Sequence, residues 1–217
     1  MIERFIHAVA VEDPGPEEPA QTRDRLRDLF PPGATRRMTQ LGLVIGGVLH
    51  PLDPRETDAI VYASTHAETR ALEAYLASFP NASPMLFQTS IHPSAVQQVL
   101  IAWERPVGQF FPLAGRLQIV AHAVQTALLA SGSRSILCGG EERKPVLLGQ
   151  GAGSAITFAF ALALTPDPAG ALGALALAGG GAPDGRLLLC DFFAAVRDRR
   201  PQRQAAAPGR ELILAGT

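Results

Sequence analysis

Three short, almost purely apolar runs restrict the folds open to this chain more than any other feature. They cover residues 58–63, 135–138 and 155–164. A continuous apolar run of this length is typical of a strand buried on both faces, in a sheet that helices cover on each side. The longest run is about half the length that a membrane-spanning helix needs, so we expect no membrane span.

Segments with the helical spacing of apolar residues lie between these runs. We predict strands over 3–11, 58–63, 135–138, 155–164 and 171–177, a turn over 83–87, and helices over 22–30, 35–49, 68–78, 93–103, 117–129 and 187–197. The period of 155–164 also fits a buried helix, but nearby prolines and a glycine favour two strands joined by a turn. This order predicts a parallel α/β sheet that closes with antiparallel strands.

The size and composition of the chain fit one folded domain. Its 217 residues suffice for a sizeable core, and 47% hydrophobic against 18% charged residues exclude disorder by composition. We assign residues 1–198 to a single domain and 199–217 to a basic tail. Because a run of like charges is usually solvated, the arginines of this tail are expected to lie in solvent.

Net charge and cysteine content exclude several other classes of protein. A net charge of −1 argues against a nucleic-acid-binding protein, which would usually be basic. The two cysteines, Cys138 and Cys190, are too few for a disulfide framework or a zinc quartet. Both lie within apolar segments, so we expect structural, buried thiols. A reducing compartment and a cytoplasmic location follow as expectations, as does the absence of an apolar signal sequence at the start.

The common catalytic motifs do not occur in the sequence. It has no Gly-x-Ser-x-Gly elbow, no phosphate loop and no His-Glu-x-x-His. The five histidines share no metal-ligand spacing, so no metal and no cofactor is predicted. The glycine-rich stretch 149–153 precedes a strand instead of opening a helix, which argues against phosphate binding.

Residues 83–95 are the best candidate for a site, because they lead into the helix predicted over 93–103. One large class of acyl-transfer enzymes places its cysteine at such a buried helix N-terminus, where the helix dipole lowers the pKa of the thiol. Here the corresponding residues are Ser94 and Ala95. Alanine has no nucleophilic atom, and the sequence shows no evident base for Ser94.

Several short motifs follow one another in an order that points to one family. They are Pro14-Gly15 after the first strand, Thr35-Arg-Arg-Met38, Ala63-Ser-Thr-His66, Ser83-Pro-x-x-Phe87 with Thr89-Ser-Ile-His92, and Cys138-Gly-Gly-Glu-Glu142 with Pro145. With these motifs the chain resembles the β-ketoacyl synthase-like family of the aryl polyene pathways, whose members are called chain length factors. The chain departs from the family's pattern at the helix entrance, where relatives usually have Asn in place of Pro93 and an Ala-Gly pair in place of Val96-Gln97.

The resemblance implies a thiolase-like half fold, with a mixed five-stranded sheet flanked by helices. Complete ketosynthases have two such halves, with a cysteine in the first and two catalytic histidines, or His and Asn, in the second; 217 residues do not hold both halves. The implied role is a non-catalytic subunit that forms a heterodimer with an active β-ketoacyl synthase and shapes the cavity for the growing acyl chain. An acyl carrier protein is the further partner implied, in polyene, polyketide or fatty-acid-like biosynthesis.

The resemblance also implies which residues contact a partner. In such dimers the central helices and an edge strand of each subunit pack together, which suggests an interface or acyl cavity formed by Phe87, Ser90, Ile91, His92, Val96, Val99 and Leu100. The alternative is that these residues fill the core. Arg36 and Arg37 either steer an acidic acyl carrier protein or have a structural role, as a solvated helix start or in ion pairs with Glu3 or Asp28.

Two other functions remain open from the residues alone. One is a divergent Ser-dependent acyltransferase that uses Ser94 or Ser90 as nucleophile, with His92 or His66 as base. A base-activated serine needs an aligned base, and residues adjacent on a helix face apart, which weighs against this function. The other is a homodimeric acyl-binding module that pairs with itself.

Overall fold

The computed structural model describes residues 1–143, 146 and 149–216, and in this part the chain forms one sheet covered by helices on both faces. The strands are β1 Ile2–Gly15, β2 Ala59–Ser64, β3 Gln109–Ala114, β4 Ser135–Glu141, β5 Thr157–Thr165, β6 Gly173–Gly179, β7 Gln202–Ala207 and β8 Arg210–Ala215. The helices are α1 Pro19–Leu26, α2 Gln40–Leu49, α3 Thr69–Ala77, α4 Pro84–Ser90, α5 Ser94–Ala102, α6 Ile119–Leu129 and α7 Leu189–Arg197.

The sheet is mixed, as the sequence predicts, but larger than expected. Its described strands lie in the order β3-β2-β4-β5-β1-β6-β8-β7. Strand β2 is parallel to β3 and β4, and the other neighbouring strands are antiparallel. The predicted count of five strands is wrong because β3 is partly exposed and contains Pro112, and because β7 and β8 lie in the segment interpreted as a basic tail.

The central strands are buried on both faces, which explains their continuous apolar sequences. On one face Val61, Leu137 and Phe160 pack against α6 and α7, and on the other Ile60 and Ile136 pack against α2 and α5. All of these side chains are at most 1% exposed. Within the described part of the chain, no helix is long and apolar enough to cross a membrane.

The C-terminal segment forms part of the sheet, so the predicted basic tail over 199–217 is wrong for residues 202–215. Strands β7 and β8 form a hairpin in which Arg203 Nε donates to Glu211 Oε2 at 2.9 Å. The buried side chains of Leu212 and Leu214 anchor this hairpin to the core. The sequence of β7 contains charged and small residues but no large apolar ones, so its composition favours a charged tail over a strand. In the folded chain the charge of Arg203 is paired across the hairpin.

The candidate segment 83–95 also differs from its prediction, since its first part is the helix α4 and not a turn. The Ser83 hydroxyl accepts the Leu86 N–H at 3.3 Å as an N-cap, and Pro84 occupies the first helical position. Helix α5 then begins at Ser94, one residue after Pro93. Two short helices in sequence therefore present the candidate residues.

Candidate functional site

Three buried glutamates lie where the parallel strands β2 and β4 end. Glu68, Glu141 and Glu142, which we call the carboxylate cluster, are 2%, 3% and 7% exposed. Strand β2 ends at Ser64 and β4 at Glu141, so the loops that follow meet at one edge of the sheet. Ligand-binding residues of open α/β sheets gather at this edge.

Glu68 connects the start of α3 to the start of α5. Its Oε2 bonds His92 Nδ1 at 3.0 Å, and its Oε1 accepts the Ala95 N–H at 3.1 Å. The His92 ring stacks on Tyr62 with centroids 5.1 Å apart. A carboxylate at a helix N-terminus is stabilised by the helix dipole. At the start of α5 the structure therefore shows an alanine whose amide is hydrogen-bonded to a buried carboxyl group.

Glu141 fixes the loop between β2 and α3. Its carboxyl group accepts the backbone N–H groups of Thr65 and of His66, the latter at 3.2 Å. Two polar atoms nearby, Tyr62 Oη and His92 Nε2, are buried without a hydrogen-bond partner among the described residues. Burial holds the pKa of Tyr62 well above its ordinary value, so this side chain stays a protonated phenol.

Glu142 begins a polar network that reaches across the helical layer. It pairs with Arg70 at 3.4 Å, and Arg70 Nη1 donates to Gln40 Oε1 at 3.3 Å. The Gln40 amide in turn donates to Thr22 Oγ1 at 2.9 Å. The network joins α3, α2 and α1, so it fixes the positions of these helices at one end of the sheet.

We expect the free energy of unfolding to fall as the pH rises from about 4.5 to about 7. Burial raises the pKa of Glu141 and that of Glu142 from 4.5 to about 7. Between these values the folded chain binds more protons than the unfolded chain, so the stability that this provides is complete at low pH and is lost as the pH rises through 7. Urea unfolding at a series of pH values between 5 and 8 measures the change, and Glu142→Gln should make it smaller.

His66 gives the free energy of unfolding a pH dependence of the opposite sign. Burial and the Arg116 charge lower its pKa from 6.5, so its contribution to stability is complete above pH 6.5 and is lost as the pH falls through the lower pKa of the folded state. This contribution is common to the wild type and to Glu142→Gln, so it cancels in their difference. Equal pH slopes for the two proteins would contradict the titration of Glu142.

The hydroxyl groups of the two serines considered as nucleophiles donate hydrogen bonds to backbone carbonyls. Ser94 Oγ donates to the Thr89 carbonyl at 2.7 Å, and Ser90 Oγ donates to the Phe87 carbonyl at the same distance. The Nδ1 atom of His92 is bonded to Glu68. The structure thus brings Ser94 and His92 to the start of α5 without an activated hydroxyl.

The residues that the resemblance placed at an interface divide into two groups. Val96 and Val99 are fully buried in the core beside α2, and Leu100 packs against the same core, so the core interpretation describes all three. Phe87 and Ile91, in contrast, are each 48% exposed. They belong to a set of exposed apolar side chains on and between α3, α4 and α5, which we call the apolar face: Leu72, Leu76, Phe79, Met85, Phe87, Ile91 and Ile101.

A groove of about 850 Å³ runs between α4 and α5, and part of the apolar face forms its wall. The side chains of Met38, Met85, Ile91 and Ile101 form much of its wall. Among the described residues of this lining, Arg37 is the charged one. The groove has the size of a small-molecule site, and its wall is mostly apolar, with the polar side chains of Gln88, Gln97 and Gln98 beside Arg37.

Neither Arg36 nor Arg37 forms the ion pairs considered for them. Both are exposed, and neither side chain has an ion pair or a hydrogen bond with any residue that the structure describes. Asp28 pairs with Arg27 at 3.3 Å instead. The two guanidinium groups are therefore free to meet an anionic partner.

The remaining candidates of the sequence have no part in this site. Cys138 is buried, which raises the pKa of its thiol, whereas Cys190 is exposed on α7, contrary to the expectation of two buried thiols. Residues 149–153 form turns before β5, and Pro145 lies outside the described residues. Among the side chains that are described, no group of three His, Cys, Asp or Glu is arranged to hold a metal ion.

Comparison with solved structures identifies the fold. A chain of a ketosynthase (ApeO) in complex with its chain length factor (ApeC) from Xenorhabdus doucetiae matches with a TM-score of 0.70 and 18% identity, over 99% of this chain and 100% of that chain. The ishigamide ketosynthase/chain length factor gives 0.58 and 11%, over 82% and 68%. A β-ketoacyl synthase from Burkholderia phymatum gives 0.52 and 13%, over 84% and 65%. The fold is thus the thiolase-like fold of ketosynthases.

The sequence itself matches one family model. None of the curated proteins compared with the chain matches it. The model described as beta-ketoacyl synthase, N-terminal domain, matches residues 11–179, from the middle of β1 to the end of β6 and so well over half of the chain. The chain therefore belongs to the family of β-ketoacyl synthase N-terminal domains.

Proposed function

We propose that this chain is a chain length factor, a non-catalytic ketosynthase-like subunit. It pairs with an active β-ketoacyl synthase and shapes the acyl cavity during polyene or polyketide chain elongation. The observation that carries the proposal is the start of α5, where Ala95 is fully buried and its N–H is bonded to the Glu68 carboxylate. A site with an alanine in place of a thiol, next to a negative charge, does not favour a thiolate nucleophile.

The structural neighbours support pairing with a ketosynthase. The match to the complex of ApeO with ApeC spans the whole of the matched chain and nearly the whole of this one. An assembly of a ketosynthase with its chain length factor thus includes a chain of this architecture and size. A type II acyl carrier protein in complex with its ketosynthase is another neighbour, with a TM-score of 0.51 and 11% identity. It supports an acyl carrier protein as a further partner, for which Arg36 and Arg37 offer a docking point.

The apolar face and the edge of the sheet suit such a partner. Strand β3 ends the sheet beyond β2, so one side of its backbone pairs with no described strand. The apolar face lies on α3, α4 and α5, and α4 contacts both of the other helices. Open strand edges and clustered apolar side chains favour association, and a partner subunit that covers both removes that liability.

The two alternatives have less support. An acyltransferase needs a serine activated by a base, whereas the Ser94 and Ser90 hydroxyls donate to main-chain carbonyls. A homodimer uses the same apolar face, with a second copy of the chain in place of the ketosynthase. Assembly state therefore separates it from the main proposal.

Co-expression with a ketosynthase encoded nearby, followed by size-exclusion chromatography with light scattering, tests the proposal. We expect a 1:1 complex that elongates acyl chains, and Ser94→Ala should keep its rate within about twofold. A chain that remains a monomer at every concentration overturns the proposal, and a stable homodimer favours the acyl-binding module. A loss of about a hundredfold with Ser94→Ala supports the acyltransferase instead.

A further inference from the structure

A second cavity, of about 270 Å³, adjoins the groove and has a different chemical character. Four arginines line it together with the buried Glu142, and we call it the arginine pocket: Arg23, Arg36, Arg37 and Arg70. The four come from α1, from the turn before α2 and from the start of α3. Three separate segments of the chain therefore contribute arginines to the wall of one small volume.

Most of the positive charge in the arginine pocket is uncompensated. Arg70 is paired with Glu142 at 3.4 Å, and the Arg23 Nε donates only to a backbone carbonyl, that of Thr35, at 3.1 Å. Arg36 and Arg37, like Arg23, form no ion pair with a described carboxylate. Guanidinium groups bind phosphate and carboxylate oxygens in two-pronged hydrogen bonds. An empty volume lined by such groups is suited to an anion.

The arginine pocket and the groove share part of their walls. Arg37, Met38, Met85 and Thr89 line both cavities. One ligand can therefore extend from the charged volume into the apolar one, across the side chains of Met38 and Met85. Its head would lie against the guanidinium groups and its chain in the groove.

We propose that the arginine pocket binds the anionic head, a phosphate or a carboxylate, of an acyl ligand whose chain lies in the groove. This names the ligand class of the groove, and it rests on the proposed function only for the groove's role as an acyl cavity. The head group is selected by charge, because Arg23, Arg36 and Arg37 have no carboxylate partner in the described chain. The chain is accepted for its length and apolar character, because the lining of the groove is mostly apolar.

Calorimetric titration of the isolated chain tests this inference with decyl phosphate, decanoate and decyltrimethylammonium, each below its micelle concentration. We expect both anions to bind, with affinity that falls as the salt concentration rises, and the cation to bind at least tenfold more weakly. The double variant Arg36→Gln/Arg37→Gln should weaken the binding of the anions at least tenfold. The variant Arg186→Gln/Arg210→Gln removes two exposed arginines that line neither cavity, and should leave it within twofold.

The outcomes are distinct. Tighter binding of decyl phosphate identifies a phosphate head, and tighter binding of decanoate a carboxylate head. Equal binding of anions and cation, an unchanged affinity in Arg36→Gln/Arg37→Gln, or no binding of either anion overturns the inference. Because no ketosynthase is present in this titration, its failure leaves the co-expression result untouched, and a failed complex leaves the ligand assignment untouched.

Discussion

Replacing Phe87 and Ile91 together by aspartate is expected to abolish the proposed complex with a ketosynthase and to lower its chain elongation about a hundredfold or more. Both side chains are 48% exposed on the apolar face, so the free subunit tolerates the change. In the complex, each aspartate would be buried in an apolar interface without a partner, which costs several kcal/mol. Light scattering measures the complex, and the rate of chain extension by the mixed subunits measures the activity.

A matched variant distinguishes loss of the interface from loss of the fold. Leu172 and Leu188 are exposed to a similar degree, 48% and 37%, and lie outside the apolar face. Leu172→Asp/Leu188→Asp should therefore keep both complex and activity, with a similar thermal unfolding curve. A complex of wild-type affinity with Phe87→Asp/Ile91→Asp would show that the ketosynthase binds elsewhere, and the β3 edge would become the next candidate.

The sequence predicts those strands that are buried on both faces, because burial on both faces requires a continuous run of apolar residues. Strands β2, β4 and β5 are buried on both faces, so nearly every side chain in them is apolar. Strand β3 is a partly exposed edge strand that contains Pro112, and α4 has no buried side chain. Neither segment therefore has the apolar pattern that predicts a buried element. Strand β7 joins the sheet by pairing with β8, and the sequence of β7 alone does not predict this pairing.

The sequence predicts the part of the candidate site that depends on neighbouring residues, but not the contacts between residues that are distant in sequence. The start of α5 at Ser94 and Ala95 follows from the helix signal and the proline before it. Glu68 lies 27 residues from Ala95, and both belong to the connection between the adjacent parallel strands β2 and β3, so their contact forms only when that connection folds back on itself. The available signal was the set of polar residues directly after two buried strands, because adjacent parallel strands place their following loops side by side.

Removal of the Glu68 carboxylate should produce the largest loss of stability among single changes at this site. Glu68→Ala leaves the Ala95 N–H and His92 Nδ1 buried without their partner, which should lower the free energy of unfolding by about 3 kcal/mol. Glu68→Gln keeps the shape and one accepting oxygen, so we expect a loss of about 1 kcal/mol.

Urea unfolding and amide hydrogen exchange measure the effect of Glu68. The Ala95 N–H should exchange much faster in Glu68→Ala, because its acceptor is gone. The exchange of amides in β4 should accelerate only by the amount that the loss of global stability explains. The exposed Glu56 supplies a control, since Glu56→Ala should change the free energy of unfolding by no more than about 0.5 kcal/mol. If Glu68→Ala and Glu56→Ala were equally stable, the carboxylate would not hold α5, and the start of this helix would have to be positioned by core packing of Ala95 and Val96 alone.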